Sequence, residues 1–223
     1  MEAGKPIQTA VVVADAPTAD LESYMPLMRE ADLRVAADGG ARHFLQAGIL
    51  PDTAIGDFDS LPPEMFRELQ ERRVHIVRHP VEKDETDLEL ALLHAVERGA
   101  RRITVLVALG GRPDQHFANV QLLSHPALEE RDVRMLHRGW EVFAIHRAAR
   151  IEGRAGQTVS LLPMTERVDG IVTEGLYYPL RDEALLLGPA RGVSNVMTGV
   201  EAVVTIRSGI LLVMHAYQEP ETK

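Results

Sequence analysis

Ala54-Ile55-Gly56-Asp57-Phe58-Asp59-Ser60 (AIGDFDS, residues 54–60) sets two aspartates one residue apart at the end of an apolar run. The segment TAIGDF (53–58) reads as a strand, so the stretch is a strand running into an acidic tip. Side chains at i and i+2 of an extended chain share a face, with Cα atoms roughly 6–7 Å apart. Asp57 and Asp59 are therefore expected side by side, with Phe58 turned to the opposite, apolar side. Two carboxylates about 5 Å apart repel by roughly 3 kcal/mol at an effective dielectric near 20. Water lowers that cost, and a bound divalent cation reverses its sign. Such a tip either closes an ordinary turn or holds something positive.

Working outward, similar apolar runs recur. TAVVVAD (9–15), LRVAAD (33–38), VHIVRH (74–79), ITVLVALGG (103–111) and VRMLH (133–137) also read as strands. Several are apolar at consecutive positions, as in strands buried on both faces. Helical patterns lie between them, near 19–31, 40–47, 62–72, 86–98 and 113–124. The helix over 86–98 is the best marked. Thr86 and Glu89 form a capping box, Leu88, Ala91, Leu92, Ala95 and Val96 recur on one face, and Gly99 suits the C-terminal cap. Alternating strands and helices predict an α/β domain with a mostly parallel, helix-covered sheet. After residue 140 the texture changes to short β-forming runs separated by Gly and Pro, which predicts an all-β sandwich domain. The expected domains are 1–140 and 141–223, with polar tails at 1–6 and 217–223. Arg207-Ser208-Gly209, between VVTI and ILLVM, reads as a hairpin turn.

Open α/β sheets bind ligands beyond the carboxyl ends of their strands. LRVAAD runs into Asp38-Gly39-Gly40, VHIVRHP into Val81-Glu82-Lys83-Asp84-Glu85-Thr86-Asp87, and ITVLVALGG into Gly110-Gly111-Arg112-Pro113-Asp114-Gln115. With the 54–60 tip, four apolar runs end in acidic loops, and a parallel sheet gathers all four at one edge. Two of these loops open a helix, whose free N–H groups suit phosphate, and Lys83 and Arg112 add positive charge. A lone Asp at a turn or helix start serves there structurally; the recurrence favours carboxylates for Mg²⁺ beside Lys, Arg and backbone N–H for phosphate.

The 223 residues are 45% hydrophobic, enough for a sizeable core, and only 4% aromatic, so Val, Leu, Ile and Ala must fill it. A net charge of −9 argues against a nucleic-acid surface. There is no cysteine, which excludes disulfides, thiolate nucleophiles and Cys-ligated zinc. The start MEAGKPIQTA lacks a signal-peptide pattern, and AVVVA is too short to span a bilayer, so a cytoplasmic protein without membrane contact is expected. P-loop, dinucleotide-binding, nucleophile-elbow and H-E-x-x-H motifs are all missing.

The blocks DGGA (38–41), GDFDS (56–60), KDETD (83–87), GGRPDQHFAN (110–119), GLYYPL (175–180), GVSN (192–195) and SGILLV (208–213), in this order and spacing, resemble the thiamine pyrophosphokinase (thiamine diphosphokinase) family from about residue 35 to residue 214. The resemblance implies an α/β nucleotide-binding domain followed by a β-sandwich. It implies transfer of a diphosphoryl group from ATP to the hydroxyl of thiamine, with Mg²⁺ required and AMP released. It also implies a homodimer with active sites between subunits. Asp57, Asp59 and Asp87 would hold Mg²⁺ and the ATP phosphates, and Asp38, Gly39, Lys83, Asp84 and Thr86 would line the same cleft. Arg112 and Asp114 match the block that handles phosphates and positions thiamine, while Tyr178, Ser194 and Asn195 match thiamine-holding positions. Gln115 stands where many bacterial members carry His, as in eukaryotic members, which weakens any proposal of a histidine base there. Asp59 or Asp84 is left as acceptor of the alcohol proton. A related diphosphotransferase acting on another alcohol and a non-catalytic nucleotide-binding module are the alternative readings.

Overall fold

The computed structural model describes residues 7–17 and 21–218. Most of the two expected polar tails therefore lies outside the described residues. The chain divides into two compact units, one built from the chain up to Leu122 plus Glu130–Met135, the other from Leu123–Glu129 plus Leu136 onward.

In the first unit strands and helices alternate: β1 (Thr9–Val13), α1 (Leu21–Glu30), β2 (Leu33–Ala37), α2 (Gly40–Gln46), β3 (Thr53–Gly56), α3 (Pro63–Glu71), β4 (His75–Arg78), α4 (Asp87–Glu97), β5 (Arg102–Leu106) and α5 (Pro113–Leu122). A 3₁₀ turn (Pro126–Leu128) precedes β6 (Asp132–His137), the strand on which the division into units falls. The strand order is β4-β3-β2-β1-β5, with β6 beyond β5. All four pairings from β4 to β5 are parallel, with Val12 opposite Val35, Ala36 opposite Ala54 and Ile55 opposite Val77. Every residue of β3 is buried, whereas His75 and Arg78 of β4 are exposed. A central strand needs apolar residues on both faces, and a polar edge strand discourages pairing with other chains.

Helix α4 forms as its sequence dictates. The Thr86 hydroxyl oxygen accepts from Glu89 N at 3.2 Å, the Leu88/Ala91/Leu92/Ala95 stripe is buried, and Gly99 follows with φ of 94°. The stripe packs on β1, β2 and β3. Burying one leucine of this kind stabilises by about 1.5–3 kcal/mol.

The second unit contains two antiparallel sheets. The remaining strands are β7 (Trp140–Ile145), β8 (Ala148–Glu152), β9 (Thr158–Pro163), β10 (Arg167–Glu174), β11 (Arg181–Leu186), β12 (Asn195–Val196), β13 (Glu201–Thr205) and β14 (Leu211–Ala216). One sheet runs β12-β9-β14-β7 and the other β11-β10-β13-β8. Phe143, Val159 and Val213 from the first meet Ile151, Ile171 and Val204 from the second in one apolar core. The mostly parallel α/β sheet followed by an antiparallel sandwich is the fold class expected from the sequence.

Residues 207–209 correct the hairpin reading. β13 lies between β8 and β10, and β14 between β7 and β9. Both strands already have two partners, so they cannot pair with each other. The chain crosses instead from one sheet to the other, held by Arg207 N donating to Asp169 O at 2.9 Å.

Three strands also stop earlier than their apolar runs. Asp38, Phe58 and Val107, just past the ends of β2, β3 and β5, take φ of 45°, 65° and 57°. A left-handed residue cannot continue a strand, and for a β-branched valine that conformation is strained. Among the described residues no helix is long and apolar enough to cross a membrane.

Candidate functional site

Parallel pairing places the ends of β1 to β5 at one edge, and the edge is acidic. Gly56 lets two of these ends close up, since a Cβ there would lie 3.0 Å from Asp38 Cα. Gly40 does the same for α2, where a Cβ would lie 2.0 Å from Val13 O. Asp38 Oδ1 then accepts from Phe58 N at 2.9 Å, tying the end of β2 to the turn after β3.

Asp57 and Asp59 come together by a different route from the one their spacing suggests. Phe58 is left-handed, so the backbone there is a tight turn, not an extended strand. Asp57 Oδ1 accepts from Asp59 N at 2.9 Å, and Asp59 Oδ1 accepts from the Ser60 hydroxyl at 2.9 Å. Phe58 is buried, as expected, and packs on Phe66 with ring centroids 5.0 Å apart. The Arg78 guanidinium lies 5.1 Å from the Phe66 ring centroid.

One carboxylate oxygen each of Asp38, Asp57 and Asp59 lies within 4.8 Å of the others. At that separation each pair repels by roughly 3 kcal/mol at an effective dielectric near 20, less where water reaches. Asp38 is only 9% exposed. Burial pushes its carboxyl above the usual range; the charges of Asp87 and Asp57 act in the same direction, against hydrogen bonds from Ser60 and Gly39. Three oxygen donors without nitrogen or sulfur suit a hard cation such as Mg²⁺.

Asp87 stands outside this trio. Its Oδ1 lies 3.0 Å from Lys83 Nζ, which is also 4.0 Å from Asp57 Oδ2 and donates to Pro80 O at 3.2 Å. Lys83 is thus held between two carboxylates. Asp84 is exposed, and the Thr86 hydroxyl oxygen is engaged as the α4 cap. Gly39 needs to be small because a Cβ there would meet Asp15 Oδ2 at 2.2 Å.

In the loop that joins β5 to α5, Arg112 pairs with Asp114 of the first turn of α5, Nη2 to Oδ2 at 2.6 Å. Both are exposed, and that bond, with the Gln115 N–H, draws the Asp114 carboxyl down to about 2. Gln115 is exposed on the first turn of α5. In the second unit Tyr178 and Tyr177 are both exposed and stacked edge to face, centroids 4.8 Å apart. Asn195 is buried, and both its amide oxygen and its amide nitrogen are hydrogen-bonded. Oδ1 accepts from Tyr178 N at 3.0 Å and Val196 N at 2.9 Å, and Nδ2 donates to Tyr178 O at 2.7 Å. Ser194 is exposed with φ of 59°, its N–H donating to Ser160 Oγ at 3.0 Å.

Other residues, outside the expected site, also shape the acidic edge. Asp15, beyond β1, pairs with Arg42 and lies 3.3 Å from His43 Nε2. Arg42 also donates to Gly39 O and Ser60 O, each at 3.4 Å, so it braces three strand ends. Asp15 closes TAVVVAD as Asp38 closes LRVAAD, and the same strand-end signal marks it. His116 Nδ1 accepts from Gly110 N at 3.0 Å, and Asn119 Nδ2 donates to Ala108 O at 2.7 Å. Both clamp the loop after β5 onto α5; they fall within the GGRPDQHFAN block (110–119), but the block alone assigns neither of them this role.

The catalytic-domain model of thiamin pyrophosphokinase matches residues 24–135, and the vitamin B1 binding-domain model of the same enzyme matches residues 145–211. The thiamine pyrophosphokinase of Bacillus subtilis is 26% identical over 212 residues, covering 94% of this chain and 99% of that protein. Its crystal structure superposes with a TM-score of 0.83 at 27% identity, covering 95% of this chain and 100% of the other. The thiamin pyrophosphokinase of Geobacillus thermodenitrificans gives a TM-score of 0.80 at 28% identity, over 95% and 99% of the two chains.

Proposed function

The chain belongs to the thiamin pyrophosphokinase family, and from that premise we propose that it is a thiamine diphosphokinase, transferring a diphosphoryl group from MgATP to the hydroxyl of thiamine. The observation that carries the site assignment is the Asp38/Asp57/Asp59 carboxylate trio at the strand ends.

In the proposed reaction the thiamine alcohol oxygen bonds to the β-phosphorus of ATP. The bond from that phosphorus to the oxygen bridging it to the α-phosphorus breaks, and AMP leaves with the electron pair. Asp38, Asp57 and Asp59 would hold magnesium, which would supply neutralisation of phosphate charge. Lys83, oriented by Asp87 and Asp57, presents its ammonium to the phosphates, and Arg112 exchanges its contact with Asp114 for a phosphate oxygen. Asp59 or Asp84 accepts the alcohol proton late in the transfer. Most of the acceleration comes from alignment and fixed charge.

The exposed Tyr178 ring, braced by Tyr177 and by the Asn195 clamp on its backbone, offers a face on which the thiamine rings stack, with Ser194 and Gln115 as polar contacts. Nucleotide handling falls to residues 1–140 and thiamine handling to 141–223. The working form is a cytoplasmic homodimer whose active sites draw on both subunits, without a nucleic-acid or membrane partner. The test is AMP release from ATP with thiamine, against a panel of other alcohols. Asp57→Ala should lower turnover by at least about a hundredfold with an unchanged circular dichroism spectrum. Near-normal turnover would refute the metal role, and equal turnover of other alcohols would refute thiamine as substrate.

A further inference from the structure

A second charged concavity lies at the opposite edge of the α/β sheet. It is an open groove of about 590 Å³, within the size range of small-molecule sites. Its walls come from the end of α1, the start of β2 and the connections α2–β3 and α3–β4. These are the amino ends of the strands whose carboxyl ends bear the aspartates, about 15 Å of strand away. Four arginines line it, Arg29, Arg34, Arg72 and Arg73, against one acidic residue, Asp52. On a chain of net charge −9, this is a concentrated reversal of sign.

The four arginines are not equivalent. Arg34 is committed to Asp52 through two bonds, Nε to Oδ2 at 3.0 Å and Nη2 to Oδ1 at 2.9 Å. Arg72 lies 3.5 Å from Glu68 in an exposed pair. Among the described residues, Arg29 and Arg73 have no carboxylate partner. The negative end of a helix favours a cation nearby, which accounts for a basic residue at each helix end but not for their sharing one groove.

Arg73 carries a further signal. Arg73 N donates to Gln70 O and Val74 N to Leu69 O, each at 3.0 Å, the bond pair of a Schellman motif. Arg73 fills the left-handed position of that motif, with φ of 59°. Glycine is the ordinary residue there. An arginine in this position keeps its guanidinium at the groove at the expense of backbone strain.

We propose that this groove is a second binding site, for a small di- or triphosphate anion, with Arg29 and Arg73 as its contacts and the Arg34–Asp52 pair as its fixed wall. Guanidinium forks match phosphate oxygens in pairs, and the concave shape favours a compact anion over an extended polymer. The site does not depend on thiamine being the substrate at the acidic edge.

The test is calorimetric titration of the full chain with inorganic pyrophosphate in EDTA, which disables any magnesium-dependent phosphate binding at the trio. Wild type and Asp57→Ala should both bind saturably, and Arg29→Ala/Arg73→Gly should bind at least about tenfold more weakly. Arg73→Gly relieves the left-handed strain, so the variant should melt no lower than wild type, which separates lost binding from lost folding. Arg147→Ala/Arg154→Ala, with the same charge change at exposed residues of the second unit, should bind as wild type does. Parallel titrations with thiamine diphosphate and AMP distinguish a product ligand from free polyphosphate. Absence of saturable binding, unchanged binding in Arg29→Ala/Arg73→Gly, or equal weakening in the charge-matched control would overturn the site.

Discussion

At the residue scale, Asp38 carries the clearest conflict between folding and function. It is nearly buried beside two other carboxylates, and its pKa is raised mainly by burial. A carboxyl whose folded pKa exceeds its unfolded value is costly when ionised, so the metal-free protein gains stability as pH falls through the raised value. Asp38→Asn removes that cost while keeping an acceptor for Phe58 N. In EDTA at about pH 7 it should melt higher than wild type, and the gain should fade as the pH approaches the ordinary carboxylate range near 4. The same variant should lose most of its turnover. Thermal melts across that pH range check the first statement, and a variant that melts lower at neutral pH would contradict it.

At the element scale, helix α4 shows how local chemistry supports the acidic edge. Its first turn carries Asp87, paired with Lys83, and its cap is Thr86. Thr86→Ala should destabilise by about 1 kcal/mol, measured as a shift in denaturant midpoint at constant slope. The loss should be similar with and without magnesium, because the hydroxyl oxygen is already engaged by Glu89 N. A turnover loss far beyond the stability loss would show instead that Thr86 contacts substrate. The strand ends follow a related logic. β2, β3 and β5 each stop where a non-glycine residue turns left-handed, and such strain persists where surrounding contacts over-determine it. Asp38 and Phe58 are tied to each other, and Val107 O accepts from Ala16 N at 2.8 Å.

At the scale of the whole molecule, a metal held by carboxylates that otherwise repel one another links binding to stability. Magnesium with AMP at about a hundredfold above its dissociation constant should stabilise by roughly 2.7 kcal/mol, a rise of several degrees in melting temperature for a chain of this size. EDTA should reverse the rise, and Asp57→Ala should show none. A rise that survives both would place nucleotide binding elsewhere.

The sequence by itself determined the alternation of elements in the first unit and the change to β texture near residue 140. Hydrophobic period and capping residues act locally and can be read locally. It also determined that Asp38, Asp57 and Asp59 end strands, and the parallel sheet necessarily gathers such ends. Only the tertiary structure decided which carboxylates meet: Asp87 is drawn to Lys83, while Asp38 swings in beside Asp57 because Gly56 admits its backbone. The partners of β13 and β14 and the bracing by Arg42 likewise appeared only there. The physical reason is range. Strand pairing and charge pairing join residues far apart in the chain, and the choice among partners rests on close approaches that no local pattern encodes.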